Sequence, residues 1–596
     1  LINEVLTHKK DFREYVVAYT NAPTIINEDF VDAEDLEGLF SGFDAATGTY
    51  DNATWQSTGE TDPTLQHPRC VYQLLNRHFG RYTPEMVEDV CGIPKDLFQR
   101  VADALTTNSG RDRTSAFCYS VGWTQHTVGV QYIRAAAILQ LLLGNIGRPG
   151  GGILALRGHA SIQGSTDIPT LFNLLPGYLP MPEPATPKLS AYVARNGKPA
   201  GYWGHVDAYL ISLLKAWWGD SATKDNDFCF DYLPHITGDH SHYQSVVSML
   251  DGTVKGYFVI GENPAVGSAN AKLQRLGLAK LDWLVVRDFS EIETAAFWYD
   301  SPEIESGELQ TSDIATEVFF LPAAAHTEKD GSFTNTQRTV QWHHTAVEPQ
   351  GDARSELWFY FHLGRILREK LATSADVRDR PLLDLAWDYP TAGALNEPSA
   401  DVVLQEINGR GASGGPLSSF TQLTADGSTA CGCWIYCGCY ADGINQTARR
   451  KPGSEQHWVA PEWGWSWPAN RRLLYNRASA DPDGKPWSER KKYVWWDEDR
   501  GEWTGVDVPD FHVTMRPDYR PPDGATAELA LSGAAPFVMQ PDGKGWLFAP
   551  TGLVDGPLPA HYEPHESPVS NRLYRQQASP TRQTFEREHN ERNPRD

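Results

Sequence analysis

The chain has 596 residues, 40% apolar and 21% charged, the balance of a globular protein with room for several cores. Its 76 acidic and 52 basic residues leave a net charge of −24, which disfavours nucleic acid or an anionic membrane as partner. The longest apolar run, around Ala135–Leu143, is too short to span a bilayer and is broken by Gln140, and eight cysteines are too few for a disulfide scaffold at this size.

Residue 1 is Leu and no signal-type region precedes an apolar stretch, so the chain is expected to be processed or a piece of something longer. Residues 1–65 show only short, weakly periodic elements. A helical pattern runs from His67 to Phe79. Thr83-Pro84-Glu85 reads as a helix start with proline at the first position, ending near Gly92, and a further helix is expected from Lys95 to about Thr106. A β-prone run at Ser115–Val121 then turns at Gly122–His126 (GWTQH). Next comes a helix from about Thr127 to Leu143, closed by Gly144 where a C-terminal cap glycine belongs. A glycine-rich stretch leads into Leu156–Gly164 (LRGHASIQG), rich in backbone donors, amides and one guanidinium. That inventory suits a large, polar, anionic cofactor. Arg157 can bind a carboxylate or phosphate through two parallel hydrogen bonds, or serve as a structural ion pair. Gln125 and His126 at a strand-to-helix turn can present donors to an anion.

Beyond the proline-rich 176–187, strand patterns appear at Gly256–Ile260, Leu281–Val286 and Glu317–Leu321. They end in Gly261-Glu262-Asn263-Pro264, in Arg287-Asp288 and in Pro322, and loops at strand C-termini are where open α/β sheets bind ligands. Gly256–Ile260 and Leu281–Val286 are expected to be parallel neighbours. A helix from about Arg354 to Glu369 closes this region. After about residue 395 periodicity fades and Trp, Pro, Gly and Asp dominate; ten of the 20 tryptophans fall between Trp434 and Trp546. The Cys431–Cys439 segment (CGCWIYCGC) could bind a metal, but its spacing matches no iron–sulfur or zinc pattern. No serine–histidine–aspartate or paired-carboxylate constellation stands out.

Gly122–His126, Leu156–Gly164, Leu175–Tyr178 (LPGY), Cys431–Ile435 (CGCWI) and Pro468–Pro482 together resemble the catalytic subunit of respiratory formate dehydrogenase, a molybdopterin guanine dinucleotide oxidoreductase. That resemblance implies an α/β fold of two doubly wound αβα domains. Residues 1–165 would be the C-terminal part of one cofactor-binding domain and 166–400 a guanine-dinucleotide-binding domain. An irregular Trp-rich segment would span 401–570 and a polar tail 571–596. It implies formate oxidation to CO2 at molybdenum or tungsten held by bis-molybdopterin guanine dinucleotide, with Arg157 orienting formate. Gln125, His126, His159, Gln163 and Gly164 would surround the pterins. Gly261, Glu262, Asn263 and Asp288 would line a guanine arm, with Thr294 and the Glu328–Asn335 turn, including Gly331, nearby.

Family members begin with a [4Fe–4S] domain and a selenocysteine or cysteine ligand and end in a β-barrel. Neither pattern is found here, so the chain is expected to be an internal piece, inactive alone, and no residue of it is assigned to the metal. An iron–sulfur beta subunit and a membrane cytochrome b gamma subunit are the implied partners, and the resemblance implies a periplasmic location, membrane-associated through those subunits, with a cytoplasmic one as the alternative. Cys437 and Cys439 are additions to the family pattern. Two other classes stay open: a non-catalytic electron-transfer scaffold of the same fold, and a carbohydrate-binding module suggested by the tryptophans.

Overall fold

The computed structural model describes residues 1–560 except 37, 127, 450–463, 468–472 and 507–508. The tail at 571–596 and residues 468–472 of the Pro468–Pro482 segment thus lie outside the described residues.

The first long helix, Val71–Gly80, starts later than the pattern from His67. Pro68 follows His67 and disfavours helical backbone there. Helix α1 (Pro84–Cys91) begins as expected: the Thr83 hydroxyl accepts the Met86 amide at 3.2 Å, and Gly92 leaves the helix at φ +68°. Helix α2 is Lys95–Thr107. Strand β1 (Ala116–Tyr119) and strand β2 (Gly152–Ala155) pair in parallel, joined through α3 (Gly129–Leu142). The expected turn at Gly122–His126 overlaps a short helix, Val121–Thr124. Gly144, at φ +66°, follows the end of α3; a Cβ there would lie 2.5 Å from the Phe12 ring.

After α4 (Ile162–Asp167) and the core helix α5 (Val206–Trp218) come β3 (Gly256–Ile260), β4 (Trp283–Asp288) and β5 (Glu317–Pro322). They form a parallel sheet of order β5-β4-β3, so the two strands expected to be neighbours are so. One face packs Val259, Leu284 and Val286 with Leu278 and Met249 from flanking helices. The other is met by α6 (Glu356–Leu371), whose Phe359 ring lies 4.5 Å from the Arg287 guanidinium carbon. The Ser355 hydroxyl accepts the Trp358 amide, which places the start of α6 at Glu356 rather than Arg354. The Glu328–Asn335 stretch read as a polar turn contains β6 (Gly331–Thr334), the first strand of a hairpin whose second strand, β7 (Thr339–His343), follows it and is extended by β8 (Gly464–Trp465). The architecture is α/β, and the two parallel sheets carry two and three strands among the described residues.

Two larger cores lie beside the three-stranded sheet. In one, Ile138, Leu139 and Leu142 of α3 pack with the N-terminal Tyr15, Val16 and Tyr19 and with Trp487, Phe537 and Phe548. In the other, α5 packs with Trp434, Ile435, Tyr436 and the cysteines Cys229, Cys431, Cys433, Cys437 and Cys439, next to α7 (Ala400–Asn408). The Trp-rich segment therefore fills cores built by earlier parts of the chain.

Candidate functional site

The C-terminal edge of the β1–β2 pair presents the first group of candidate residues. Leu156 N–H donates to the Tyr119 carbonyl at 2.7 Å, which carries the pairing to the residue before Arg157. Gln125 and His126 follow β1, Arg157 and His159 follow β2, and all four are exposed. Arg157 forms no ion pair with any described residue, so the structural ion-pair reading finds no partner here. Behind them the buried Gln140 amide donates to Ser115 and Gly152 carbonyls, both at 2.7 Å, clamping the two strands. Arg148 is fully buried and donates to the Gly110 and Gly144 carbonyls. Burial pushes its guanidinium down to about 10.

A second group is organised by Asp167, which sequence reasoning missed. Its buried carboxylate accepts from Gln163 Nε2 at 2.8 Å, Tyr178 Oη at 2.9 Å, Trp467 Nε1 at 3.0 Å and Tyr436 Oη at 3.1 Å. Burial pushes this carboxyl above its ordinary range, and the four donors pull it back. The spacing of Gln163 and Asp167, one turn apart on α4, was the one local signal for this contact. Gly164 lies where α4 meets the hairpin; a Cβ there would fall 2.7 Å from Ser161 Oγ and 3.2 Å from Thr334 Cβ. Ser161 Oγ accepts the Thr334 amide at 3.2 Å, and Thr336 Oγ1 donates to the Ala155 carbonyl at 2.7 Å. The hairpin is thus bound to the Leu156–Gly164 tract.

Between them is a cavity of about 230 Å³, lined among others by His159, His326, Lys329, Gly331 and His343. Partial burial, with the Lys329 ammonium contributing, pushes the His326 and His343 imidazoles toward their neutral forms. Lys329 itself pairs with Glu356. The cavity therefore offers ring N–H groups and backbone more than net charge. Glu328 accepts the Ala325 amide at 2.8 Å, and Asn335 Oδ1 accepts the Thr339 amide at 3.1 Å, so each braces its own turn.

The third group sits at the C-terminal edge of the three-stranded sheet. Gly261 is exposed at φ +66° with open space where a Cβ would stand. Glu262 accepts from Ser268 Oγ at 3.0 Å, and Asp288 Oδ1 accepts the Phe289 amide at 2.7 Å. Asn263 Oδ1 accepts from the Thr294 hydroxyl at 2.7 Å, and its amide donates to Glu293 at 2.6 Å. Asn263 and the buried Thr294 thereby latch one strand-end loop to the next. Asp288 is in register with Pro322, the last residue of β5, and from there the chain runs through 323–330 into the hairpin. Continuous backbone so links the guanine-arm candidates to the cavity beside His159.

Among the described residues no group of three or more His, Cys, Asp and Glu is placed to hold a metal ion, and no helix is long and apolar enough to cross a membrane. Cys431, Cys433, Cys437 and Cys439 are all buried. Of the described tryptophans between 434 and 546, Trp434, Trp465, Trp487 and Trp503 are buried and Trp467, Trp495, Trp496 and Trp546 half-buried.

A family profile described as molybdopterin oxidoreductase matches residues 310–365, the stretch from before β5 into α6. The chain is 40% identical over 594 residues to the formate dehydrogenase-O major subunit of Escherichia coli (strain K12), covering 95% of this chain and 56% of that protein. It is 39% identical over 597 residues to the nitrate-inducible formate dehydrogenase major subunit of the same organism, covering 96% and 56%. It spans about half the length of these curated relatives. Among solved structures, acetylene hydratase from Pelobacter acetylenicus matches 49% of this chain and 35% of its own at 16% identity, with a TM-score of 0.28, a likeness too low to carry an argument.

Proposed function

For a chain that is homologous to the major subunits of formate dehydrogenases over 95% of its length, we propose service in a catalytic subunit that oxidises formate to CO2. The cofactor is bis-molybdopterin guanine dinucleotide with molybdenum or tungsten, and when bound it supplies the acceptor for the two electrons that leave formate. The observation that carries this reading is Arg157, an exposed guanidinium with no ion-pair partner among the described residues, at the C-terminal edge of a parallel strand pair.

The residues present fit such a group. The cavity beside His159 is walled by imidazole N–H groups, Lys329 and the Gly331 backbone, suited to pterin and phosphate oxygens. The open position at Gly261 and the acidic Asp288 suit a guanine edge and ribose at a strand-end crevice. Glu262, Asn263, Thr294, Glu328 and Asn335 would hold the loops around it, and Gln125, His126, Gln163 and Gly164 the pterin side. Arg157 would bind the formate carboxylate through two parallel N–H donors and stabilise charge as the C–H bond breaks. Asp167 fixes the Gln163 amide through its Nε2 donor.

The two parallel sheets are read as parts of two doubly wound domains. On this reading no residue of this chain ligates the metal, and a [4Fe–4S] cluster would be held by sequence outside it. Electrons would leave toward an iron–sulfur beta subunit and a membrane cytochrome b gamma subunit on the periplasmic side.

The test uses protein expressed from its whole gene with molybdate or tungstate supplied. Metal, acid-released GMP and formate-dependent dye reduction are measured per chain. Arg157→Lys removes one of two charge-assisted hydrogen bonds, worth about 1.5–3 kcal/mol, so kcat/KM should fall roughly ten- to hundredfold at unchanged metal content. Absence of metal and GMP overturns the cofactor assignment. Full loading without formate oxidation favours the electron-transfer scaffold, and normal kcat/KM per metal in Arg157→Lys removes Arg157 from the catalytic list.

A further inference from the structure

The cysteines of the 431–439 segment have no place in the chemistry above. Cys431 and Cys437 face each other, their sulfurs 3.5 Å apart, both side chains buried. A disulfide bond is about 2.05 Å long, so closure needs an approach of roughly 1.5 Å, within reach of small side-chain rotations. The backbone holds the two residues toward each other. The Cys431 amide donates to the Ser212 carbonyl of α5 at 2.9 Å, and Asn408 Oδ1, at the end of α7, accepts the Gly438 amide at 2.8 Å, immediately after Cys437. Cys433 aims elsewhere, its thiol 3.6 Å from the Asp167 carbonyl oxygen.

We propose that Cys431 and Cys437 are joined as a disulfide when the protein is made in an oxidising compartment. The co-reactant is a small or protein disulfide. One cysteine thiolate attacks its sulfur and expels a thiolate. The second cysteine thiolate then attacks the mixed disulfide, expelling the other. Two S–S bonds break and two form, and the protons of Cys431 and Cys437 end on the two departing thiols. Burial holds the Cys437 thiol well above its ordinary range and so suppresses the thiolate in the folded chain. The bond therefore forms while this segment is still open during folding, and afterwards resists reductants that cannot reach it. Its role is to brace the Trp434–Tyr436 turn between the two cysteines. That turn stacks Trp434 on Tyr209 at 4.2 Å and delivers the Tyr436 hydroxyl to Asp167.

The test is thiol counting on protein expressed from its whole gene, once exported to an oxidising compartment and once kept in a reducing one. Each sample is denatured and alkylated without reductant, then mapped by mass spectrometry. Within the peptides of residues 1–596, the exported sample should show two fewer alkylated thiols than the eight of this sequence. The peptide between Arg410 and Arg449, which holds Cys431, Cys433, Cys437 and Cys439, should carry two alkyl groups where the sample kept reduced carries four. Dithiothreitol should restore the missing thiols only when denaturant is added. Cys437→Ala should leave Cys431 alkylated, whereas Cys439→Ala should keep the bridge. Full alkylation of the exported wild type, or a bridge that survives Cys437→Ala, overturns the proposal. The wild-type measurement decides even if a variant fails to fold, and it is independent of whether the protein oxidises formate.

Discussion

Glu406 and Asp167 are carboxylates whose surroundings, the Gln163 contact of Asp167 aside, were invisible in the sequence. Glu406, at the end of α7, lines a cavity of about 530 Å³ with Asp388, Tyr389, Arg410 and Tyr440. Burial raises its carboxyl from the usual 4.5 to about 7, although Tyr389 Oη donates to it at 2.8 Å. The folded chain then holds this proton more tightly than the unfolded chain. The contribution to stability is fully present below about pH 4.5 and is lost as pH rises to about 7, with little further change above. Each tenfold shift in the proton equilibrium is about 1.4 kcal/mol, so the loss across that window is roughly 3 kcal/mol. Glu406→Gln keeps an acceptor for Tyr389 and cannot ionise. Its urea midpoint should therefore lose that fall between about pH 5 and about pH 8. An unchanged wild-type slope in the variant would place the titration on another group. Asp167 follows the same sign, since burial raises its carboxyl too.

Helix α1 isolates the contribution of local capping, because none of its residues is buried. Its start rests on the Thr83 hydroxyl and on Pro84, whose missing N–H is no loss at the first helical position. Thr83→Ala should cost about 1 kcal/mol, felt in α1 alone. The Met86 amide, left without its acceptor, should exchange with deuterium roughly fivefold faster, while amides of α3 keep their rates. Uniform acceleration across the chain would instead mean that α1 unfolds only with the rest. Helix α3 shows the opposite case. Its residues Ile138, Leu139 and Leu142 are core, and burial rather than a cap holds it.

Taken whole, the molecule joins distant parts of its sequence in each large core. Trp487, Phe537, Phe548 and Leu558 close the core around α3, and Trp434, Ile435 and Tyr436 close the one around α5. Trp434 is 2% exposed and Trp503 1%. Removing a buried Trp alone costs about 3–5 kcal/mol, a large share of the 5–15 kcal/mol that holds a domain together. A chain cut after residue 400 loses all of these at once. It should give no cooperative unfolding transition and should bind a hydrophobic dye, whereas the intact chain should unfold cooperatively and leave the dye unbound. A cooperative transition in the truncated chain would show that 1–400 can close its own cores.

What the sequence determined by itself is what a few neighbouring residues can enforce. Thr83-Pro84 and Gly92 bounded α1, Gly144 followed α3, and apolar runs ending in Gly261 and Asp288 became adjacent parallel strands. In each, the controlling contacts span one turn or one strand. The resemblance named the chemistry, but it could not place side chains. Only the tertiary structure decided that Gln163, Tyr178, Tyr436, Ser466 and Trp467 all donate to Asp167, the last from 300 positions away. It alone brought His326 and His343 to the cavity beside His159, turned the tryptophans inward, and set Cys431 against Cys437. A tyrosine, tryptophan or cysteine reads the same in sequence whether its polar atom meets water or a buried partner. Which of these it meets is settled by long-range packing, and packing of that range leaves no periodicity in a local window.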